Sequence, residues 1–238
     1  MRAIIFCAGL GTRFKPWTDN HPKALAVVNG RSLLQRNVEY LQQFGITEIV
    51  VNVHHFADQI EQAIVSANGW GAAITISDER NEVLETGGGL LKAASLLGQG
   101  DFVALNVDIL TDLDLGAMIK AHQTRGSLAT LAVTARKTSR YFLFDESDQL
   151  CGWRNTATGD QKISRQRTNL TEKAFSGAHI INNRLLDITT QTGKFSIVDV
   201  YLELSANNPI TAFDHTGSKL VDVGKPESVA IAESMFPW

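Results

Sequence analysis

Short apolar runs recur along the first half of the chain, and a helical pattern follows each one. Ala3–Phe6, Ile49–Val53, Ala73–Ser77 and Phe102–Leu105 read as strands. Ser32 is placed to cap a helix carrying Leu33, Leu34, Val38 and Leu41, with Gly45 where a helix-ending glycine belongs. A second helix is expected near Phe56–Asn68, where Phe56, Ile60 and Ile64 fall on one face, and others at Gly88–Leu97 and Asp112–Thr124. Gly126 stops the last of these before a strand at Leu128–Val133. Such alternation predicts a mainly parallel sheet with helices on both faces, a Rossmann-like three-layer α/β/α arrangement. In open sheets of this kind, ligands bind beyond the carboxyl ends of the strands.

The second half is less regular. Tyr141–Phe144, Leu150–Trp153, Phe175–Ile181, Ile210–Asp214 and Leu220–Val223 read as short strands, and Ile197–Leu204 and Glu227–Met235 as helices. The polar stretch Arg154–Lys173 has three open readings: a mobile flap, a hairpin insertion or an oligomer contact. One domain over 1–238 is expected, with a regular half at 1–135 and a less regular half at 136–238 that carries a small β-rich flap or insertion near 141–175. A net charge of −3 gives no basic excess for nucleic acid. The apolar start, Ala3–Ala8, is too short for a signal segment or a membrane span. Cys7 and Cys151 make neither a disulfide framework nor a zinc site, so buried thiols in a cytoplasmic protein are expected.

The strand Ala3–Phe6 runs straight into Cys7-Ala8-Gly9-Leu10-Gly11-Thr12-Arg13-Phe14-Lys15-Pro16, with Pro22-Lys23 beyond. Glycines let the main chain approach phosphate oxygens, and clustered N–H groups form a concavity for anions. Arg13 can fork onto phosphate oxygens, while Lys15 and Lys23 supply point charges. The third glycine of the dinucleotide fingerprint is absent, two prolines forbid an immediate long helix, and no Walker pattern occurs.

Two carboxylates sit in apolar strands, Asp108 in Val103–Leu110 and Asp222 in Leu220–Val223. Buried there, they need partners. Mg²⁺ shared with substrate phosphates is one reading; a helix cap or an ion pair with a nearby Lys or Arg is the other. Gly87-Gly88-Gly89 opens a helix at a cost in stability, which makes sense if a flat ligand approaches the backbone there. His54 and His55 lack further ligands for a metal, so one at the cleft and one in solvent is expected. No Ser–His–Asp pattern or G-x-S-x-G elbow is present. The chemistry on offer is charge neutralisation and positioning, as in phosphoryl or nucleotidyl transfer.

The residues Ala8-Gly9-Leu10-Gly11-Thr12-Arg13-Phe14-Lys15-Pro16-Trp17-Thr18 with Pro22-Lys23 resemble the signature loop of the sugar-1-phosphate nucleotidyltransferases. The likeness continues in order through Glu85–Gly89, Asn106–Asp108, Phe175–Gly177 and Val221–Gly224. Within the family it is nearest to short enzymes of the N-acetylmuramate-1-phosphate uridylyltransferase type, which serve cell-wall recycling. With the sequence ending at Trp238, a β-helix acyltransferase domain like that of larger relatives is not expected. The resemblance implies the nucleotide-diphospho-sugar transferase fold, with a nucleotide-binding half at 1–135 and a sugar-binding half at 136–238, and NTP (UTP favoured) and a sugar 1-phosphate as substrates. It implies Ala8, Gly9, Gly11, Thr12 and Arg13 on the triphosphate, with Arg13 and Lys23 as the catalytic cations. Thr86 and Gly87 would lie on the base, Ser176 and Gly177 on the sugar, and Asp108 and Asp222 on Mg²⁺. Val107 stands where many relatives have glycine, and Lys15 where arginine is common. A mannose- or heptose-1-phosphate guanylyltransferase, or a non-catalytic nucleotide-sugar-binding paralogue, is the alternative; retention of Arg13, Lys23, Asp108 and Asp222 argues against the latter. A monomer or homodimer without nucleic-acid or membrane partners is expected.

Overall fold

The continuous apolar runs become strands with both faces covered. The computed structural model describes residues 1–237. Strand β1 (Arg2–Phe6) leads through the glycine loop to a small hairpin, β2 (Val27–Val28) and β3 (Arg31–Ser32), and to helix α1 (Leu33–Gln42). Then come β4 (Glu48–Val53), α2 (Ala57–Ser66), β5 (Ala73–Asp78), α3 (Glu85–Lys92), α4 (Ala94–Leu97) and β6 (Asp101–Asn106). The chain continues through β7 (Ile109–Thr111), α5 (Leu115–Arg125), β8 (Ala129–Thr134), β9 (Arg140–Phe144), β10 (Leu150–Asn155), β11 (Gln161–Ile163) and β12 (Thr171–Asn182). It closes with α6 (Arg184–Ile188), α7 (Ile197–Leu204), β13 (Ile210–Asp214), β14 (Leu220–Asp222) and α8 (Glu227–Met235).

The parallel core is β5-β4-β1-β6, with Ala3 opposite Ile49 on one side of β1 and opposite Val103 on the other. β12 joins β6 antiparallel, β8 joins β12, and β13 runs parallel to β8. The first residues of β12 pair instead with β9, and β10 and β11 extend from there. Successive side chains of a strand point to opposite faces, and the core divides accordingly. Ala3, Ile5, Val103 and Leu105 pack with Leu34, Leu41, Ile60 and Met118 on one side. Ile4, Phe6, Phe102 and Ala104 pack with Leu90, Leu97, Val200 and Tyr201 on the other. This is the expected mainly parallel three-layer sheet, with an antiparallel addition in the second half.

Ser32 caps α1 through a bond from Gln35 N (3.1 Å), and Gly45 takes the left-handed conformation that ends it. The helix expected from Asp112 starts only at Leu115, where Asp114 caps it by accepting from Ala117 N (2.9 Å). Its expected first turn is displaced because Ile109–Thr111 pairs antiparallel with β14. The polar stretch 154–173 contains β11, hairpinned on β10. It is tied to α7 by Lys162 on Asp199 (2.8 Å) and by Arg165 on the Ser205 carbonyl. Among the described residues no helix is long and apolar enough to cross a membrane.

Candidate active site

β1, β4 and β6 all end at one edge of the sheet, and a cleft of about 410 Å³ opens there. Ala8, Gly9, Gly11 and Thr12 form one wall, Glu85 and Thr86 the other, and Lys23, Asn106 and Asp108 the floor between them. The loop's shape is fixed from inside. Cys7 N and Ala8 N donate to Asn52 Oδ1 (2.7 and 3.3 Å), and the Phe14 side chain is buried beneath. Gly11 is left-handed (φ 61°), and a Cβ there would lie 2.8 Å from Thr18 Cγ2 and 3.3 Å from Lys23 Cβ. Only glycine fits that approach. Thr18 Oγ1 returns a hydrogen bond to the Gly11 carbonyl (2.9 Å). The N–H groups of Gly9, Leu10 and Gly11 donate to no described residue.

Lys23 Nζ is in direct contact with Asp108 Oδ2, both side chains being about 15% exposed. The buried carboxylate anticipated at Asp108 therefore has an ammonium as its partner. The Asp108 carbonyl accepts from Val223 N (2.8 Å), and Asp222 stands opposite Ile109 in the β7–β14 pair. That pairing brings Asp222 beside Asp108 from more than a hundred residues away. Asp222 is exposed rather than buried among Leu and Val. Its Oδ1 and Arg13 Nη2 both lie within 2.8 Å of the place a Cβ on Gly224 would occupy. Arg13 thus stands beside one carboxylate and Lys23 on the other. Lys15 turns away to Asp19 (2.8 Å).

The glycine run in α3 has a reason other than the one expected. A Cβ on Gly87 would strike the Phe195 ring, one on Gly88 the Gly193 carbonyl oxygen, and one on Gly89 Glu79 Oε1 at 2.6 Å. The three glycines admit neighbouring protein, not a flat ligand. Thr86 faces the cleft and accepts from Ile197 N (3.1 Å), while Gly87 is buried and donates from its N to the Phe195 carbonyl (3.0 Å). Gly177 (φ 75°) comes so close to Asn106 that a Cβ would sit 2.9 Å from Nδ2. Ser176 is buried, with its hydroxyl on His215 Nε2 (2.8 Å), and does not line the cleft. Neither histidine of the pair reaches the cleft: His54 Nδ1 bonds the Glu79 carbonyl (2.7 Å), and exposed His55 stacks on Phe56.

Two cleft residues, Asn52 and Lys194, and Glu79 buried behind Asn52 escaped the sequence reading. Asn52 interrupts an otherwise apolar strand, a signal in plain view. Glu79 and Lys194 gave none; Lys194 faces Glu85 across the mouth at 3.9 Å. Cys7 lies at the floor, but burial pushes its thiol well up, despite the opposing pull of Lys23. A protonated, fully buried thiol is no nucleophile. What the cleft offers is unpaired N–H groups with Lys23 and Asp108 inside it, and Arg13 and Asp222 stand together beyond its lining, a set suited to holding phosphates.

Residues 2–149 match the family model described as nucleotidyl transferase. Over 98% of this chain and 95% of the other, the sequence is 30% identical to the N-acetylmuramate alpha-1-phosphate uridylyltransferase of Caulobacter vibrioides. It is 27% identical to the mannose-1-phosphate guanylyltransferase catalytic subunit beta of Drosophila melanogaster, over 95% of this chain and 60% of that one. The solved structure of HddC from Yersinia pseudotuberculosis superposes over 99% of both chains with a TM-score of 0.78 at 23% identity, a likeness of fold. The chain belongs to the nucleotidyl transferase family, and is an enzyme of that class.

Proposed function

We propose that the protein transfers a nucleotidyl group from UTP to a sugar 1-phosphate, N-acetylmuramate 1-phosphate in the first instance, giving a nucleotide sugar and pyrophosphate. The observation that carries this reading is the Lys23–Asp108 contact on the floor of a cleft whose wall presents unpaired N–H groups. The near full-length likeness to a uridylyltransferase supports the base and the sugar, and with them a role in cell-wall recycling.

In the reaction, a phosphate oxygen of the sugar phosphate attacks the α-phosphorus. The bond from that phosphorus to the oxygen bridging to the β-phosphorus breaks, and pyrophosphate leaves with the electron pair. Gly9, Gly11 and Thr12 hold the triphosphate through the loop backbone, and Ala8, whose N–H is held by Asn52, lines the wall beside them. Arg13 neutralises the pyrophosphate as it departs, by a forked contact that its guanidinium is shaped to make. Lys23 leaves Asp108 and screens the repulsion between the two phosphates that must meet. Thr86 borders the base, with Gly87 behind it, and Gly177 with Asn106 borders the sugar, backed by Ser176.

Asp108, in the turn before β7, and Asp222, on the neighbouring β14, are hard oxygen donors, which fits Mg²⁺ completed by substrate phosphates. Asp108 and Asp222 would hold it, and the ion would neutralise phosphate charge. Pyrophosphate release, measured across a matrix of nucleoside triphosphates and sugar 1-phosphates, tests the proposal. Release is expected with UTP and N-acetylmuramate 1-phosphate, and chelator should abolish it. The guanylyltransferase likeness supports a second reading, in which GTP with mannose or heptose 1-phosphate turns over fastest. Tight nucleotide-sugar binding without release from any pair would overturn both.

A further inference from the structure

Beneath the glycine loop lies a buried polar pair that the reaction as described does not use. Asn52 (2% exposed) accepts from Cys7 N and Ala8 N at Oδ1 and donates from Nδ2 to Glu79 Oε1 (2.7 Å). Glu79 is fully buried, and its Oε2 accepts from Leu84 N (3.2 Å). No described cation lies within ion-pair distance of it. A carboxylate buried without a cation is costly, so the position calls for a physical reason.

Hydrogen-bond polarity supplies one. An asparagine amide can turn either end to the loop, but only its oxygen can take the Cys7 and Ala8 N–H groups. Both oxygens of Glu79 act as acceptors, so Asn52 must present Nδ2 to it and therefore Oδ1 to the loop. With those two N–H groups satisfied inside, the next donors along the chain, on Gly9, Leu10 and Gly11, are the ones without a protein partner. Through Leu84, the same carboxylate fixes the backbone immediately before Glu85 and Thr86 on the facing wall. Gly89 lets helix α3 come close enough for this, since a side chain there would strike Glu79.

We propose that Asn52 and Glu79 are positioning residues: the acceptor-only Glu79 orients the Asn52 amide, and together they preorganise both walls of the cleft for nucleoside triphosphate. The inference rests on the reading of the loop as a triphosphate cradle. It predicts a specific rescue. In Glu79→Gln one contact must fail. Either the new amide nitrogen faces Leu84 N–H, or it faces Asn52 and turns that amide the wrong way to the loop. In Asn52→Asp two acceptors oppose each other. In the double variant, amide and carboxylate trade places: the glutamine donates to the aspartate and accepts from Leu84 N, and the aspartate accepts from Cys7 N and Ala8 N.

The test is UTP binding by calorimetry without sugar phosphate, with thermal unfolding measured on the same samples. Each single variant is expected to raise the Kd about tenfold, the scale of one lost buried hydrogen bond, and the double variant to return it to within about threefold of wild type. Should Glu79→Gln not yield folded protein, Asn52→Asp set against the double variant makes the same comparison. Single variants that melt earlier but bind UTP as wild type does would make the pair merely structural and overturn the proposal. A double variant that binds no better than the singles would also overturn it. Wild-type protein that binds no nucleoside triphosphate would instead take down the loop reading, and this inference with it.

Discussion

The contact between Lys23 and Asp108 makes a quantitative demand. Breaking a fully buried ion pair by removing one partner costs about 3–5 kcal/mol, because a charge is left in low dielectric. Here the side chains are 14% and 15% exposed at the floor of an open cleft. Water can reach the stranded carboxylate from one side, which halves the cost to about 2 kcal/mol. For a chain of 238 residues, Lys23→Met should therefore lower Tm by about 4–8 °C. Asp108→Asn keeps a hydrogen-bond acceptor for the ammonium, so its Tm should fall by about half as much. Turnover should collapse in both. Thermal unfolding at neutral pH, with chelator and then with millimolar Mg²⁺, separates the roles. If Asp108 is a metal ligand, the ion should raise the Tm of Lys23→Met more than that of wild type, because the ammonium no longer competes for the carboxylate. A Lys23→Met protein that melts like wild type would refute the ion-pair reasoning. One that is destabilised yet indifferent to Mg²⁺ would remove Asp108 from the metal reading.

Three other outcomes are expected. His179 is fully buried and held down to about 3 by desolvation, while the unfolded chain titrates near 6.5. The unfolded state binds the extra proton, so the stability this group confers is complete above pH 6.5 and is lost as pH falls toward 3. The loss amounts to about 2 kcal/mol at pH 5. Urea unfolding between pH 5 and 7.5 should show a shallower pH dependence in His179→Gln than in wild type; equal slopes would contradict the assignment. In Gly88→Ala the new methyl runs into the Gly193 carbonyl. The strain of about 1–3 kcal/mol should lower Tm and raise KM for nucleotide through neighbouring Lys194, whereas an unaltered Tm would deny the close approach. Ser176→Ala strips the partner from a buried ring whose Nδ1 already has none. A stability loss of about 1–2 kcal/mol with an unchanged KM for sugar phosphate is expected, and the reverse pattern would move Ser176 into the sugar site.

What the sequence disclosed divides along a physical line. Ala3–Phe6, Ile49–Val53 and Phe102–Leu105 were legible as parallel strands because burial on both faces removes polar residues from the run itself, Asn52 being the exception. β7 was not legible. Ile109–Thr111 is three residues long and owes its strand conformation to a partner at Leu220–Asp222. Without that pairing, Asp108 and Asp222 are two acids far apart in sequence; with it they are neighbours. Gly87–Gly89 shows the same limit from the other side. Three glycines announce that the backbone has a close neighbour, but ligand and protein require the same missing Cβ, and only the fold put Phe195, Gly193 and Glu79 there.

The charges of the cleft follow a related logic. In sequence, a loop carrying Arg13 and Lys23 reads as cationic, and two strand-end aspartates as carboxylates in need of a partner. In the folded protein one cation sits on one carboxylate and the other stands beside the second. The charged groups of the cleft and its rim thereby largely offset one another. On the proposed reading, a triphosphate with its divalent cation would offer Lys23 and Arg13 a phosphate and Asp108 and Asp222 a metal. The complex brings a net negative charge, which the two released cations would meet, while the metal would take up the two carboxylates. Such an exchange would make nucleotide and metal favour each other's binding. It would also suit Lys23 to its contact with Asp108, since a lysine's flexible stem can change partners where a forked arginine would resist.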